Sequence, residues 1–161
     1  MRPRNPYGQS KLEMEQMIEK EYDAHCIRVR PFPHIGPGQQ QGFVTADFAS
    51  QIAEIEAGKQ EPVISVGNLD AQRDFTDVRD VSHAYRLLME HGILGNVYHV
   101  ASGMPRSIQS VLDRLLALSP VSITVQQNPH RMRPSDNPVL VGNAEKIKAA
   151  TGWAPSWRWT A

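Results

Sequence analysis

The sequence predicts an α/β fold, and three observations carry that prediction. Short apolar runs bounded by proline, glycine or polar residues, such as "CIRVRPF", "PVISV" and "NVYHVAS", read as strands. Between them lie stretches with apolar residues at helical spacing, so strand and helix alternate along the chain. No repeat, low-complexity tract or linker interrupts the alternation. With 161 residues, residues 1–161 are expected to form a single domain, and about two-thirds of the unfolded surface is available for burial.

The elements follow in order. From Ser10 to Ala24, apolar residues at Leu12, Met14, Met17, Ile18 and Tyr22 predict a helix. "CIRVRPF" (26–32) is a strand that Pro31 and Pro33 end, and "PFPHIGPGQQQG" is a loop by composition. Phe43, Val44, Phe48, Ile52, Ala53 and Ile55 predict a helix that stops at Gly58. "PVISV" (62–66) and "RDFTDV" (73–78) are strands separated by the turn "GNLDAQ". Asp80 or Ser82 is expected to cap a helix running to His91, followed by the strand "NVYHVAS". Ser107 opens a helix with Ile108, Val111, Leu112, Leu115 and Leu116 on one face. "VSITVQQ" is a strand, "NPHRMRPSDNP" a long basic loop, and "AEKIKAAT" a short helix before Gly152.

Composition narrows the function. Seventeen basic and seventeen acidic residues give no net charge, which argues against a nucleic-acid platform or a binder of anionic membranes. A lone cysteine, Cys26, excludes an internal disulfide framework and fits a reducing cytoplasm. No apolar run approaches the ~20 residues of a membrane span, and "MRPRNPYG" lacks the apolar core of a signal peptide. The expectation is a soluble cytoplasmic protein.

Several residue groups could carry chemistry. Tyr7 and Lys11 are four apart, so one helical turn brings their heads to one face. A phenol beside a fixed ammonium suits proton transfer, because the cation favours the phenolate. The bland alternative is surface packing of a lysine stem on an aromatic ring. "GPGQQQG" (36–42) imitates a dinucleotide-binding fingerprint, but the prolines before it make a wide loop instead of a tight strand-to-helix turn. Phosphate could still approach its glycines. Arg73, Arg131 and Arg133 lie in two separated basic loops that could close on a diphosphate, with Asp136 accepting from a ribose hydroxyl. Arg79 and Arg86 are assigned to solvated surface. Asp74, Asp77 and Asp80 are scattered by strand alternation and capping, and the six histidines lack ligand spacing, so no metal site is expected. His34 sits in the loop after the first strand, where it could face a ligand. Trp153, Trp157 and Trp159 are expected to fix the tail by packing.

"NPYGQSK", "RVRPFPHIGPGQQQGFVTADFASQIAEIEAG", "PVISVGNLDAQRDFTDVRDVSHAY", "GNVYHVASG" and "RMRPSDNPVLVGNAEKIKAATGWAP" together resemble the extended short-chain dehydrogenase/reductase family. Within it they resemble the branch of GDP-4-keto-6-deoxy-D-mannose reductases and GDP-mannose 4,6-dehydratases. The resemblance runs over essentially the whole chain but covers the family's second half. It implies the substrate-binding portion of the fold, without most of the amino-terminal cofactor sheet. Tyr7 resembles the tyrosine that protonates the C4 oxygen of the sugar while NADPH delivers hydride to C4. Lys11 resembles the lysine that binds the nicotinamide ribose and lowers the pKa of that tyrosine. Pro31 and His34 lie in a segment, Pro31 to Gly38, similar to the one between nicotinamide and sugar diphosphate. Phe43 and Val44 begin a helix resembling the guanine-side wall. Arg73 and Arg133 match arginines on the diphosphate, and Asp136 sits where an acidic residue holds the ribose. The family's asparagine before the histidine is replaced by Pro33, which offers neither a side-chain donor nor an N–H.

The resemblance implies NADP(H) as cofactor and a GDP-sugar as partner. It also implies that the 161 residues alone are inactive and that a separate amino-terminal half could complement them. A non-catalytic GDP-sugar-binding or interaction module, or a dehydratase fragment, is the alternative. The helix from Ser10 to Ala24 would normally lie against a large sheet, so its apolar residues are expected to draw the chain into a homo-oligomer.

Overall fold

A computed structural model describes residues 5–132 and 137–157. Arg133, Asp136 and Trp159 lie outside these described residues, so their expected roles rest on the sequence. The α/β alternation is present. The elements are α1 (Pro6–Tyr22), β1 (Arg28–Pro31), β2 (His34–Ile35), α2 (Val44–Glu56), β3 (Val63–Val66), β4 (Gln72–Asp74) and β5 (Thr76–Asp77). There follow α3 (Val78–His91), β6 (Val97–Val100), β7 (Pro105–Ser107), α4 (Ile108–Leu118), β8 (Thr124–Gln127), β9 (Val139–Leu140) and α5 (Glu145–Thr151). Short 3-10 turns at Asp23–His25 and Pro129–Arg131 complete the set.

The described residues form two compact units. One comprises the chain up to His34, then Thr76–Gly103 and the segment from Gly142 onward; the other comprises Ile35–Phe75 and Met104–Val141.

In the first unit, β1 pairs with β6 in parallel, Arg28 opposite Val97 and Arg30 opposite His99. Its core joins Val81, Ala84 and Leu88 of α3 to Tyr98 and Val100 of β6, Ile147 of α5 and Trp153. Full burial of an indole removes a large apolar area from water, and Trp153 is 1% exposed. Its ring N–H donates to the Asp80 carbonyl at 3.0 Å. The Asp80 carboxylate, itself buried, accepts from the Ser156 N–H and hydroxyl at 3.0 and 2.7 Å and from the Trp157 N–H at 3.0 Å. The tryptophans therefore do fix the tail: Trp153 by burial, and Trp157 by stacking under the Arg79 guanidinium. Neither Asp80 nor Ser82, the caps the sequence suggests for α3, takes that place. Asp77 is the cap, its carboxylate accepting from the Arg79 N–H at 2.8 Å, and Ser82 lies inside the helix. The expected strand 73–78 is likewise divided at Phe75, between β4 and β5.

In the second unit, Phe48, Ile52 and Ile55 of α2 and Ile108, Val111 and Leu112 of α4 are buried. β3 pairs in parallel with β8, and β4 lies between antiparallel β7 and parallel β9. Ser107 caps α4 as expected, accepting from the Ser110 N–H at 3.0 Å. Gly67, just after β3, is required by close approach: a Cβ there would stand 2.3 Å from the Arg131 carbonyl oxygen.

Candidate active site on helix α1

Helix α1 starts four residues earlier than its apolar stripe indicates. Asn5 supplies the cap, its side-chain oxygen accepting from the Gly8 N–H at 2.8 Å, and Pro6 takes the first helical position, where no N–H is needed. Tyr7 and Lys11 thus both lie within the helix, one turn apart. The Lys11 Nζ stands 5.5 Å from the Tyr7 ring centroid. Tyr7 is 71% exposed. The ammonium lies over the face of the ring, a placement compatible both with the expected pair and with simple packing of lysine on an aromatic.

The rest of α1 explains how that pair is held. None of its 17 residues is buried; Leu12 and Ile18 are half-buried, and Met14, Met17 and Tyr22 are exposed. Two ion pairs tie it to β1. The Arg30 Nε donates to both Glu15 carboxylate oxygens, at 2.8 and 3.0 Å, and its Nη2 donates to Glu15 Oε2 as well. Arg28 Nη1 lies 3.4 Å from Glu19 Oε2. The hydrogen bonds from Arg30 hold the Glu15 carboxyl below the usual glutamate range, and those same bonds raise Arg30. An open groove of about 430 Å³ runs along the helix, lined by Met14, Ile18, Tyr22, Cys26 and Val29, among others.

Pro31 closes β1, and Phe32 continues its line by donating its N–H to the Val100 carbonyl at 2.9 Å. His34 is exposed, its Nδ1 3.2 Å from the Phe32 carbonyl oxygen. The Pro33 carbonyl accepts from the Thr76 N–H at 3.0 Å. His99, on β6 opposite Arg30, is held below its ordinary pKa by burial first and by the Arg30 charge second.

The remaining candidates belong to the second unit. The glycine loop is wide, as expected, with Gly38 and Gly42 at positive φ. A side chain added at either would meet nothing within 4 Å. Gly42 nevertheless donates its N–H to the Asp47 carboxylate at 2.7 Å, so a negative group already occupies the approach to α2. That disfavours phosphate there. Phe43, at the capping position of α2, is 60% exposed, and Val44 is half-buried in its first turn. The Arg73 Nη1 donates to the carbonyls of Gln72 and Asn137, at 2.7 and 3.0 Å, which fixes its fork beside the β4–β9 pair. Arg131 ends the 3-10 turn, whose Asn128 caps it by accepting from the His130 N–H at 2.9 Å. Among the described residues, no group of three histidines, cysteines or carboxylates is placed to hold a metal. No described helix is long and apolar enough to cross a membrane.

With this geometry in hand, comparison with known proteins decides the family. Residues 1–161 match the family described as GDP-mannose 4,6 dehydratase. The chain belongs to this family. A GDP-6-deoxy-D-mannose reductase from Pseudomonas aeruginosa is 40% identical over 156 residues, covering 95% of this chain and 51% of the relative. A GDP-6-deoxy-D-talose 4-dehydrogenase from Aggregatibacter actinomycetemcomitans is 28% identical, covering 94% of this chain and 50% of the relative. Among solved structures, RMD from Pseudomonas aeruginosa complexed with NADPH superposes with a TM-score of 0.89 at 38% identity. That match covers 96% of this chain and 52% of the other. The chain therefore spans about half the length of the relatives it matches.

Sequence reasoning passed over Glu15 and Arg30. The signal was legible: acidic residues at Glu15 and Glu19 continue the four-residue spacing of Tyr7 and Lys11, and arginines alternate at 28 and 30.

Proposed function

We propose that this chain supplies the substrate side and the proton donor of an NADP(H)-dependent reductase acting on the 4-keto group of a GDP-6-deoxyhexose. The observation that carries the reading is the Tyr7–Lys11 pair, with Nζ 5.5 Å from the phenol ring on an exposed helical face. Its support is the 40% identity to a GDP-6-deoxy-D-mannose reductase. The donor set fits a nicotinamide nucleotide: a phenol for the reacting oxygen and an ammonium for a ribose hydroxyl, both open to a ligand. Bound NADPH would supply hydride to C4. Tyr7 would give its phenolic proton to the C4 oxygen, and Lys11 would stabilise the phenolate left behind. Arg73, Arg133 and Asp136 would hold the diphosphate and ribose, Phe43 and Val44 the base, and Pro31 and His34 would border the nicotinamide.

Magnitudes support the expectation that the isolated 161 residues are inactive. Fixing both reactants in contact lowers the barrier by about 7–11 kcal/mol, against about 10²–10⁴-fold from general acid catalysis. The glycine loop lacks a tight phosphate-cradling turn, and Asp47 stands at its helix. We therefore expect no sugar turnover by these residues alone, and restored turnover when a cofactor-binding half is supplied. Saturable NADPH oxidation by the 161-residue chain with a GDP-4-keto-6-deoxyhexose would contradict this. A second reading, GDP-sugar binding without chemistry, is favoured by the compactness of the second unit and by Arg73, anchored through backbone carbonyls. Calorimetric titration with GDP and GDP-mannose tests it. The exposed Met14, Met17 and Tyr22 of α1 support a homo-oligomer, which light scattering checks.

A further inference from the structure

We infer that Glu15 and Arg30 are positioning residues for Tyr7 and Lys11: their forked ion pair, assisted by Glu19 and Arg28, sets the rotation and register of α1 on β1. The inference rests on the reading of Tyr7 and Lys11 given above. Apolar packing gives α1 little hold within these residues, because none of its side chains is buried and only Leu12 and Ile18 of its apolar ones are half-buried. The charges can set that register. Residues 7, 11, 15 and 19 form one four-residue row of the helix, the kind of row that makes a continuous surface ridge. Residues 28 and 30 share one face of β1 because strand side chains alternate. Glu15 meets Arg30 while Glu19 meets Arg28, so α1 runs opposite to β1. From Glu15 back to Tyr7 the helix advances roughly 12 Å, beyond the Pro31 end of the strand, in the direction of His34. The ridge that carries the pair is the ridge that is clamped.

The inner clamp dominates. The Glu15 and Arg30 side chains are 19% and 28% exposed, whereas Glu19 is 62% exposed. A planar guanidinium bonded to both carboxylate oxygens fixes an angle as well as a distance, which a lysine ammonium does not. A slip of one residue would turn Tyr7 by about 100° about the helix axis, away from Lys11's present surroundings.

Hydrogen exchange read by mass spectrometry on the 161-residue chain tests this, with α3 as the internal reference. In Glu15→Gln and in Arg30→Gln, amides of residues 9–20 should exchange about tenfold faster, with α3 unchanged. The exchanged pair, Glu15→Arg with Arg30→Glu, should recover most of the lost protection, and Arg30→Lys less than half of it. Unchanged α1 protection, or equal loss in α1 and α3 with no recovery in the exchanged pair, would overturn the inference. A second arm mixes the chain with the unmatched part of the Pseudomonas aeruginosa reductase. There Glu15→Gln should lower kcat about tenfold and leave KM for the sugar nucleotide within about twofold. Turnover with kcat unaffected by Glu15→Gln would defeat the positioning role while leaving the functional reading intact. No turnover even with unaltered Glu15, alongside the expected exchange pattern, would defeat the functional reading while the clamp stands.

Discussion

Helices α1 and α3 belong to the same compact unit and are held in opposite ways. In α3, Val81, Ala84 and Leu88 are buried against Tyr98, Ile147 and Trp153, and Asp80 is saturated by the tail. In α1 no residue is buried, only Leu12 and Ile18 of its apolar residues are half-buried, and two ion pairs reach β1. Burial is non-directional and strong, whereas a bidentate charge pair is weaker but fixes orientation. The helix that carries Tyr7 and Lys11 is therefore oriented without being anchored by a core. The role proposed for Tyr7 calls for exact placement more than for deep burial.

The largest expected effect would break the α3 side of this contrast. Trp153→Ala should destabilise the chain by about 3–5 kcal/mol in urea unfolding, because it opens a cavity and frees the Asp80 carbonyl. A loss below about 1 kcal/mol would mean that the tail does not close the core. Asp80→Ala comes next, at about 1–3 kcal/mol, since the Ser156 and Trp157 N–H groups lose their acceptor.

Acid should sharpen the contrast. Glu15 is held down by Arg30, Asp77 by Arg79, and His99 by burial and the Arg30 charge. In each case the unfolded chain binds the proton more readily, so stability rises with pH across the titration. The His99 contribution is present above about pH 6.5 and is lost as pH falls through its lower folded value. The Glu15 and Asp77 contributions are present above about pH 4–4.5 and are lost below it. Circular dichroism with exchange measurements between pH 7 and pH 3 should show α1 losing protection before α3. Simultaneous loss would contradict the contrast. The smallest effect is expected at the exposed Arg86–Glu90 pair on α3, where Glu90→Ala should cost no more than about 0.5 kcal/mol.

Much of this was legible in the sequence, for identifiable reasons. Elements with several apolar residues at one period, such as α2, α3, α4, β3 and β6, were readable because burial imposed the period. The start of α1 was missed because the apolar stripe begins at Leu12, although Asn5-Pro6 is a capping signal. The strands β2, β7 and β9 have two or three residues each, too few to show alternation. Asp77, Asp80 and Ser82 are all competent caps; what decides among them is the tail, which claims Asp80 from more than seventy residues away. The Glu15–Arg30 clamp left a partial trace, the spacing of Glu15 and Glu19 and the alternation of Arg28 and Arg30. Which carboxylate meets which arginine is set only when the helix lies on the following strand. The Tyr7–Lys11 pair was legible because a single helical turn makes it.

The most direct test is NADPH oxidation with a GDP-4-keto-6-deoxyhexose, after mixing the chain with the unmatched half of the Pseudomonas aeruginosa reductase. The account expects saturable turnover that falls about 10²–10⁴-fold in Tyr7→Phe. Turnover that Tyr7→Phe leaves unchanged, or turnover by the 161 residues without the added half, would contradict it.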